Sequence, residues 1–131
     1  MKRTAILLLA ALVAAPSVAQ AACKKSDVGG TWMLYAGTND PAEQWFRCRV
    51  RLNSTGRLAG GNNYCWHISG PRSSIFAAEI SVSRSCRVSG FFASFGDAQT
   101  FDHAWMSGNK QVISGVGHNP DNTFTFNAVR L

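Results

Sequence analysis

Acidic residues are scarce in this chain: seven stand against 13 lysines and arginines in 131 residues, and only Glu43 and Glu79 are glutamates. That leaves few general bases. There is no His-Glu-x-x-His motif, His67, His103 and His118 have no ligand-like local spacing, and the serines sit in no nucleophile elbow. Neither a metal nor a cofactor is expected. Helical periodicity is missing after the N-terminal twenty or so residues, which excludes a helical bundle and a βαβ fold. No repeat, low-complexity tract or linker divides the chain. No second apolar run of membrane length exists, so no transmembrane segment is expected in the mature chain.

The first 21 residues read as a signal peptide. Met1-Lys2-Arg3 is a basic n-region, residues 5–15 form a short apolar h-region, and Ala19-Gln20-Ala21 is an A-x-A cleavage site. Cleavage there leaves residues 22–131 as a single domain with 11 basic and 7 acidic residues, a charge of +4. That charge is below the level of a dedicated nucleic-acid binder, so no nucleic-acid partner is expected. The expected location is periplasmic or secreted. In that setting Cys23, Cys48, Cys65 and Cys86 point to two disulfides, with three connectivities open. Gln20-Ala21-Ala22 lacks the aliphatic residue of a lipidation signal ahead of Cys23. Asn53-Ser54-Thr55 is read as a turn, not a glycosylated sequon.

Short alternating runs separated by turn clusters predict an all-β chain of seven or eight antiparallel strands. Strands are expected over residues 31–35, 45–52, 58–67 with an interruption at Gly60-Gly61-Asn62-Asn63, 75–92 as one or two, 101–106, 111–116 and 123–131. Residues 45–52 are the clearest, with Phe46, Cys48, Val50 and Leu52 on one face and Trp45, Arg47, Arg49 and Arg51 on the other. From residue 75 onward, Phe76, Ala78, Ile80, Val82, Cys86 and Val88 share one parity. Arg84 falls in it too, so a turn or bulge is expected near Ser83-Arg84-Ser85. Glycines within strands (Gly60, Gly61, Gly90, Gly115) favour a small closed up-and-down barrel over a sandwich.

Gly30-Thr31-Trp32 at the start of the first strand resembles the G-x-W of calycin (lipocalin-like) barrels, whose Trp packs across the barrel base. The order Val28-Gly29-Gly30-Thr31-Trp32-Met33-Leu34, Cys48-Arg49-Val50-Arg51-Leu52-Asn53, Leu58-Ala59-Gly60 and Cys65 is similar to the calycin-like periplasmic inhibitors of alkaline metalloproteases from Gram-negative bacteria. The likeness spans residues 28–65. It implies an eight-stranded barrel with a disulfide between the second and third strand regions, hence Cys48 with Cys65 and, by remainder, Cys23 with Cys86. It also implies a protein partner, a secreted protease or other hydrolase, inhibited through an extended N-terminal tail. Here the tail is only residues 22–28, which brings Lys24, Lys25 and Ser26 forward by position and carries Cys23, a departure from the family.

Trp45, Arg47, Arg49 and Arg51, with Arg57 beyond the turn, form a basic ladder. It can grip carboxylates, sulfates or phosphates, steer an acidic protein partner, or serve as a solvated strand face. The expected function is a non-enzymatic binding protein, most simply a hydrolase inhibitor. One alternative is a lipocalin-like carrier of a small ligand or an anionic glycan, using exposed Trp45 and Trp66 or an interior lined by Phe91, Phe92, Phe95, Phe124 and Phe126. The other is a small basic hydrolase such as a ribonuclease, with Glu79, His67 and arginines.

Overall fold

The computed structural model describes residues 22–38 and 44–131. The expected signal peptide and the segment 39–43, which holds Glu43, lie outside the described residues. A 3₁₀ turn, η1 (Lys25–Val28), leads into nine strands: β1 (Gly30–Thr38), β2 (Trp45–Leu52), β3 (Tyr64–His67), β4 (Ser73–Ser74), β5 (Ala77–Val82), β6 (Arg87–Ser94), β7 (Asp97–Met106), β8 (Val112–His118) and β9 (Thr123–Arg130).

Alternation decides which side each strand buries. In β2, Phe46, Cys48, Val50 and Leu52 are buried, as are Trp32, Leu34 and Ala36 of β1 and Phe124, Phe126 and Ala128 of β9. All strands join one antiparallel sheet in the order β4-β3-β2-β1-β9-β8-β7-β6-β5, so first and last strands pair and the edges are β4 and β5. The sheet curls into a half-barrel.

This corrects the expected closed barrel of seven or eight strands. β4 and β5 do not pair. The two sides of the sheet meet where the Ile80 N–H donates to Gly56 O (2.9 Å), at an isolated bridge between Arg57 and Glu79, where the Phe95 N–H and the Ser94 hydroxyl donate to Ser73 Oγ of β4 (3.0 and 3.2 Å), and where the chain crosses over. At that crossover the Ile75 N–H bonds Asn63 O on the β3 side and the Phe76 N–H bonds Ala93 O of β6. Phe76, inside by parity, is 65% exposed because the crossover breaks the alternation there. The strand expected over 58–67 is interrupted where expected: Leu58 bridges Leu52, and β3 begins after Gly60-Gly61-Asn62-Asn63. Asn63 replaces the missing ladder, accepting the Arg51 N–H on Oδ1 (2.6 Å) and donating from Nδ2 to Ala59 O (2.8 Å). The expected turn after β5 is present, with Cys86 at φ 65°. Gly90 marks a bulge in β6, where a Cβ would stand 2.0 Å from Glu79 O.

Trp32 fills the barrel base. Its Nε1–H donates to Val28 O (2.8 Å), and the Arg130 guanidinium lies 4.5 Å over its ring while donating to the carbonyls of Asp27 and Gly29. Above it the interior is packed. Trp32, Leu34, Phe92, Phe101, Ile113 and Phe126 border a void of only about 20 Å³, room for a single water. The disulfides are Cys48–Cys65, directly opposite each other on β2 and β3, and Cys23–Cys86, which ties the N-terminal segment to the turn after β5. No helix among the described residues is long and apolar enough to cross a membrane.

Candidate docking face

Turning Phe46, Cys48, Val50 and Leu52 inward forces Trp45, Arg47, Arg49 and Arg51 outward, and the register then fixes their neighbours. Arg47 stands between Tyr35 of β1 and Trp66 of β3; Arg49 stands between Met33 and Tyr64. Ser74 opposes Tyr64, and Arg72, just before β4, brings its guanidinium to the same rings, 3.5 Å from the centre of Tyr64 and 5.8 Å from that of Trp66. Tyr35 and Trp45 are about half exposed.

The arginines divide by what they bond. Arg49 Nη1 donates to Asn62 O (3.2 Å) and Arg51 Nη1 to Gly60 O (3.4 Å), bracing the loop before β3. Arg47 and Arg72 instead stack on rings: Arg47 lies 4.2 Å over Trp66, and Arg72 lies 3.5 Å over Tyr64. Tyr64 and Trp66 meet edge to face at 4.2 Å. Among the described residues none of these arginines forms an ion pair; the ion pairs present are Lys110–Asp27 and His118–Asp102.

The other sequence candidates lie elsewhere. Arg57 leaves the ladder beyond the turn and bridges backbone to backbone with Glu79 on the far edge. Lys24, Lys25 and Ser26 are exposed at the barrel base, but their backbone is fixed by η1 and by Cys23, which is buried and disulfide-bonded. The extended tail implied by the family likeness is thus a pinned turn. His67 bonds Gln44 Oε1 (3.1 Å) and Ser69 Oγ (3.0 Å) beside Phe46, whereas Glu79 reaches the Leu52 end through Arg57. Six residues of β2 separate the two ends, about 20 Å, so His67 and Glu79 are not brought together. Asp102 turns away from its neighbour His103 and pairs with His118 across β7 and β8 (2.8 Å). No group of three or more metal-ligating side chains occurs among the described residues. A hollow of about 210 Å³ at the barrel mouth, between Phe46, Phe95, His67 and Gln99, adds a concave rim beside Trp45.

Sequence reasoning missed Arg72, Tyr64 and Tyr35. The available signal was the aromatic pair Tyr64-x-Trp66 flanking Cys65: once Cys65 faces Cys48, both rings must face the arginines.

Asp27 carries the electrostatics of the base. The Lys24 backbone N–H on Oδ2 (2.8 Å), helped by Lys110 at 3.1 Å and opposed by desolvation, holds its carboxyl below the usual range. A lowered native pKa stabilises the fold above the unfolded carboxyl value of about 4 and loses that contribution as pH falls through the native value. Thermal unfolding should therefore separate wild type from Asp27→Asn at neutral pH, with the gap closing in acid as the pH falls through the lowered native value. A gap that persists in acid would mean that packing, not charge, is lost.

No family model, curated protein or solved structure matches this chain.

Proposed function

We propose that this chain is a calycin-type, non-enzymatic binding protein of the periplasm or extracellular space. In this reading it docks an acidic surface of a protein partner with the outer face of β1–β3, and its partial likeness to metalloprotease inhibitors makes a secreted hydrolase the partner class. The observation that carries the reading is a row of outward arginines, interleaved with Trp45, Tyr35, Tyr64 and Trp66, that has no ion-pair partner among the described residues. Arginine and large aromatics are the residues that anchor protein interfaces, and an unneutralised basic face speeds encounter with an acidic one. The fixed N-terminal segment moves the contact from the tail to this sheet face.

Two observations weigh against the alternatives. The void of about 20 Å³ among Trp32, Leu34, Phe92, Phe101, Ile113 and Phe126 is too small for a ligand, and His67 stands apart from Glu79. The test is capture of a hydrolase in a one-to-one complex with its activity suppressed, compared between wild type and Arg47→Glu/Arg49→Glu. The double reversal should weaken the complex on the order of a hundredfold, through slower association, while the melting transition survives. Equal capture and inhibition by both proteins would overturn the face, and turnover of a substrate by the protein alone would overturn the non-enzymatic reading.

A further inference from the structure

Arg47 and Arg72 differ from Arg49 and Arg51 in having rings beneath them and no partner among the described residues at their edges. Their guanidinium carbons lie 4.2 Å and 5.8 Å from the centre of the Trp66 ring, so they stand at most 10 Å apart. Neither guanidinium donates a hydrogen bond to, or forms an ion pair with, any described residue. Each guanidinium carries five N–H donors in a planar fork. Stacking spends the faces of these forks and fixes their orientation, but it leaves the N–H edges unspent.

We propose that Arg47 and Arg72 form a two-guanidinium clamp for an extended acidic peptide segment of the partner, with carboxylates at alternate positions. The proposal rests on the docking face argued above and names what that face reads. Forks match carboxylates bidentately, so two oriented forks favour two carboxylates at a set spacing over a diffuse negative charge. Side chains two residues apart on an extended chain share a side and are about 7 Å apart, a span within the 10 Å upper limit on the separation of the two guanidinium groups. Ordering long side chains normally costs rotamer entropy on binding, and here Tyr64 and Trp66 hold them in place beforehand. At Tyr64 and Trp66 the same stacking argues against a saccharide as occupant, because guanidinium groups already lie over those rings.

The probes are an alternating Glu-Ser peptide, a peptide of the same composition with its glutamates in one block, and a sulfated oligosaccharide. Each is titrated at low ionic strength into the oxidised mature protein and its single variants. Arg47→Lys and Arg72→Lys keep the charge but lose the fork, and each should weaken the alternating peptide by about tenfold. Arg84→Lys, exposed in the turn after β5, should bind as wild type, and the block peptide should bind more weakly than the alternating one. Thermal melts establish that each variant is folded. Lysine variants that bind like wild type, or equal affinity for the two peptides, would reduce the clamp to general electrostatics and overturn it. Arg72-dependent binding of the saccharide without binding of the peptide would overturn the occupant.

The clamp and the face fail separately. If Arg47→Glu/Arg49→Glu abolishes hydrolase capture while Arg72→Lys changes nothing, the clamp falls and the face stands. If the peptide results hold but no hydrolase is captured, the clamp stands without the proposed partner class.

Discussion

Trp32→Ala is expected to lower unfolding free energy by about 3–5 kcal/mol. The indole is 3% exposed, so truncation enlarges the small void it borders with Leu34, Val50, Leu52, Ile80 and Phe126. It also strands the Val28 carbonyl, which the Trp32 Nε1–H now satisfies, and removes the ring on which Arg130 lies. Arg130 in turn holds the carbonyls of Asp27 and Gly29, so η1 should loosen together with the base. Trp32→Phe keeps most of the packing and loses the hydrogen bond, at a cost of about 1–3 kcal/mol. Denaturant unfolding of the oxidised protein checks both. A loss below about 1 kcal/mol for the alanine variant would mean the base is held by the disulfides and not by Trp32.

Gly56→Ala should be about as damaging, by a different route. Gly56 has φ +80°, a region alanine resists, and an added Cβ would stand 1.7 Å from the Ile80 carbonyl oxygen. Backbone cannot swing aside as a side chain can. The same peptide accepts the Ile80 N–H at 2.9 Å and precedes the Arg57–Glu79 bridge, so relieving the clash means parting the two sheet edges. A loss of about 3 kcal/mol or more is expected, with faster amide exchange in β5. Gly60→Ala is the control: nothing lies within 4 Å of its Cβ, and the change should stay within about 1 kcal/mol. Equal effects at the two positions would contradict the close approach of the edges.

These two residues mark what was legible in the sequence and what was not. β2 was readable because its alternation is strict, and its observed bounds, Trp45–Leu52, coincide with the expected ones. The turn after β5 was readable because Arg84 broke an apolar parity. Trp32 at the base, and the pairing of Cys48 with Cys65 and of Cys23 with Cys86, agree with what the family resemblance implied. Closure was not readable. A closed barrel and a half-barrel put the same residues inside, and the difference lies in long-range contacts such as Gly56 with Ile80. The break before β3 was readable because Gly60-Gly61-Asn62-Asn63 interrupts the pattern, but the hydrogen bonds that the Asn63 side chain makes across it were not.

The candidate site was half legible. Parity alone put Trp45, Arg47, Arg49 and Arg51 on one face. What makes that face more than a charged strand is lateral register, which sets Arg47 between Tyr35 and Trp66 and brings Arg72 from a loop onto the same rings. A loop arginine has no parity to read. Lys24, Lys25 and Ser26 were singled out from a tail that the Cys23–Cys86 bond and η1 hold against the barrel, away from this face.

The most direct test of the account is residue-level protection from arginine- and tryptophan-directed modification when the protein is bound to its captured partner. Trp105 is an internal reference, since it is 52% exposed on β7, with β1, β9 and β8 lying between it and β2. The account predicts that Arg47, Arg72 and Trp45 become protected while Trp105 and Arg84 stay reactive. Protection of Trp105, with Arg47 and Trp45 as reactive as in the free protein, would contradict it and move the docking face to the other side of the barrel.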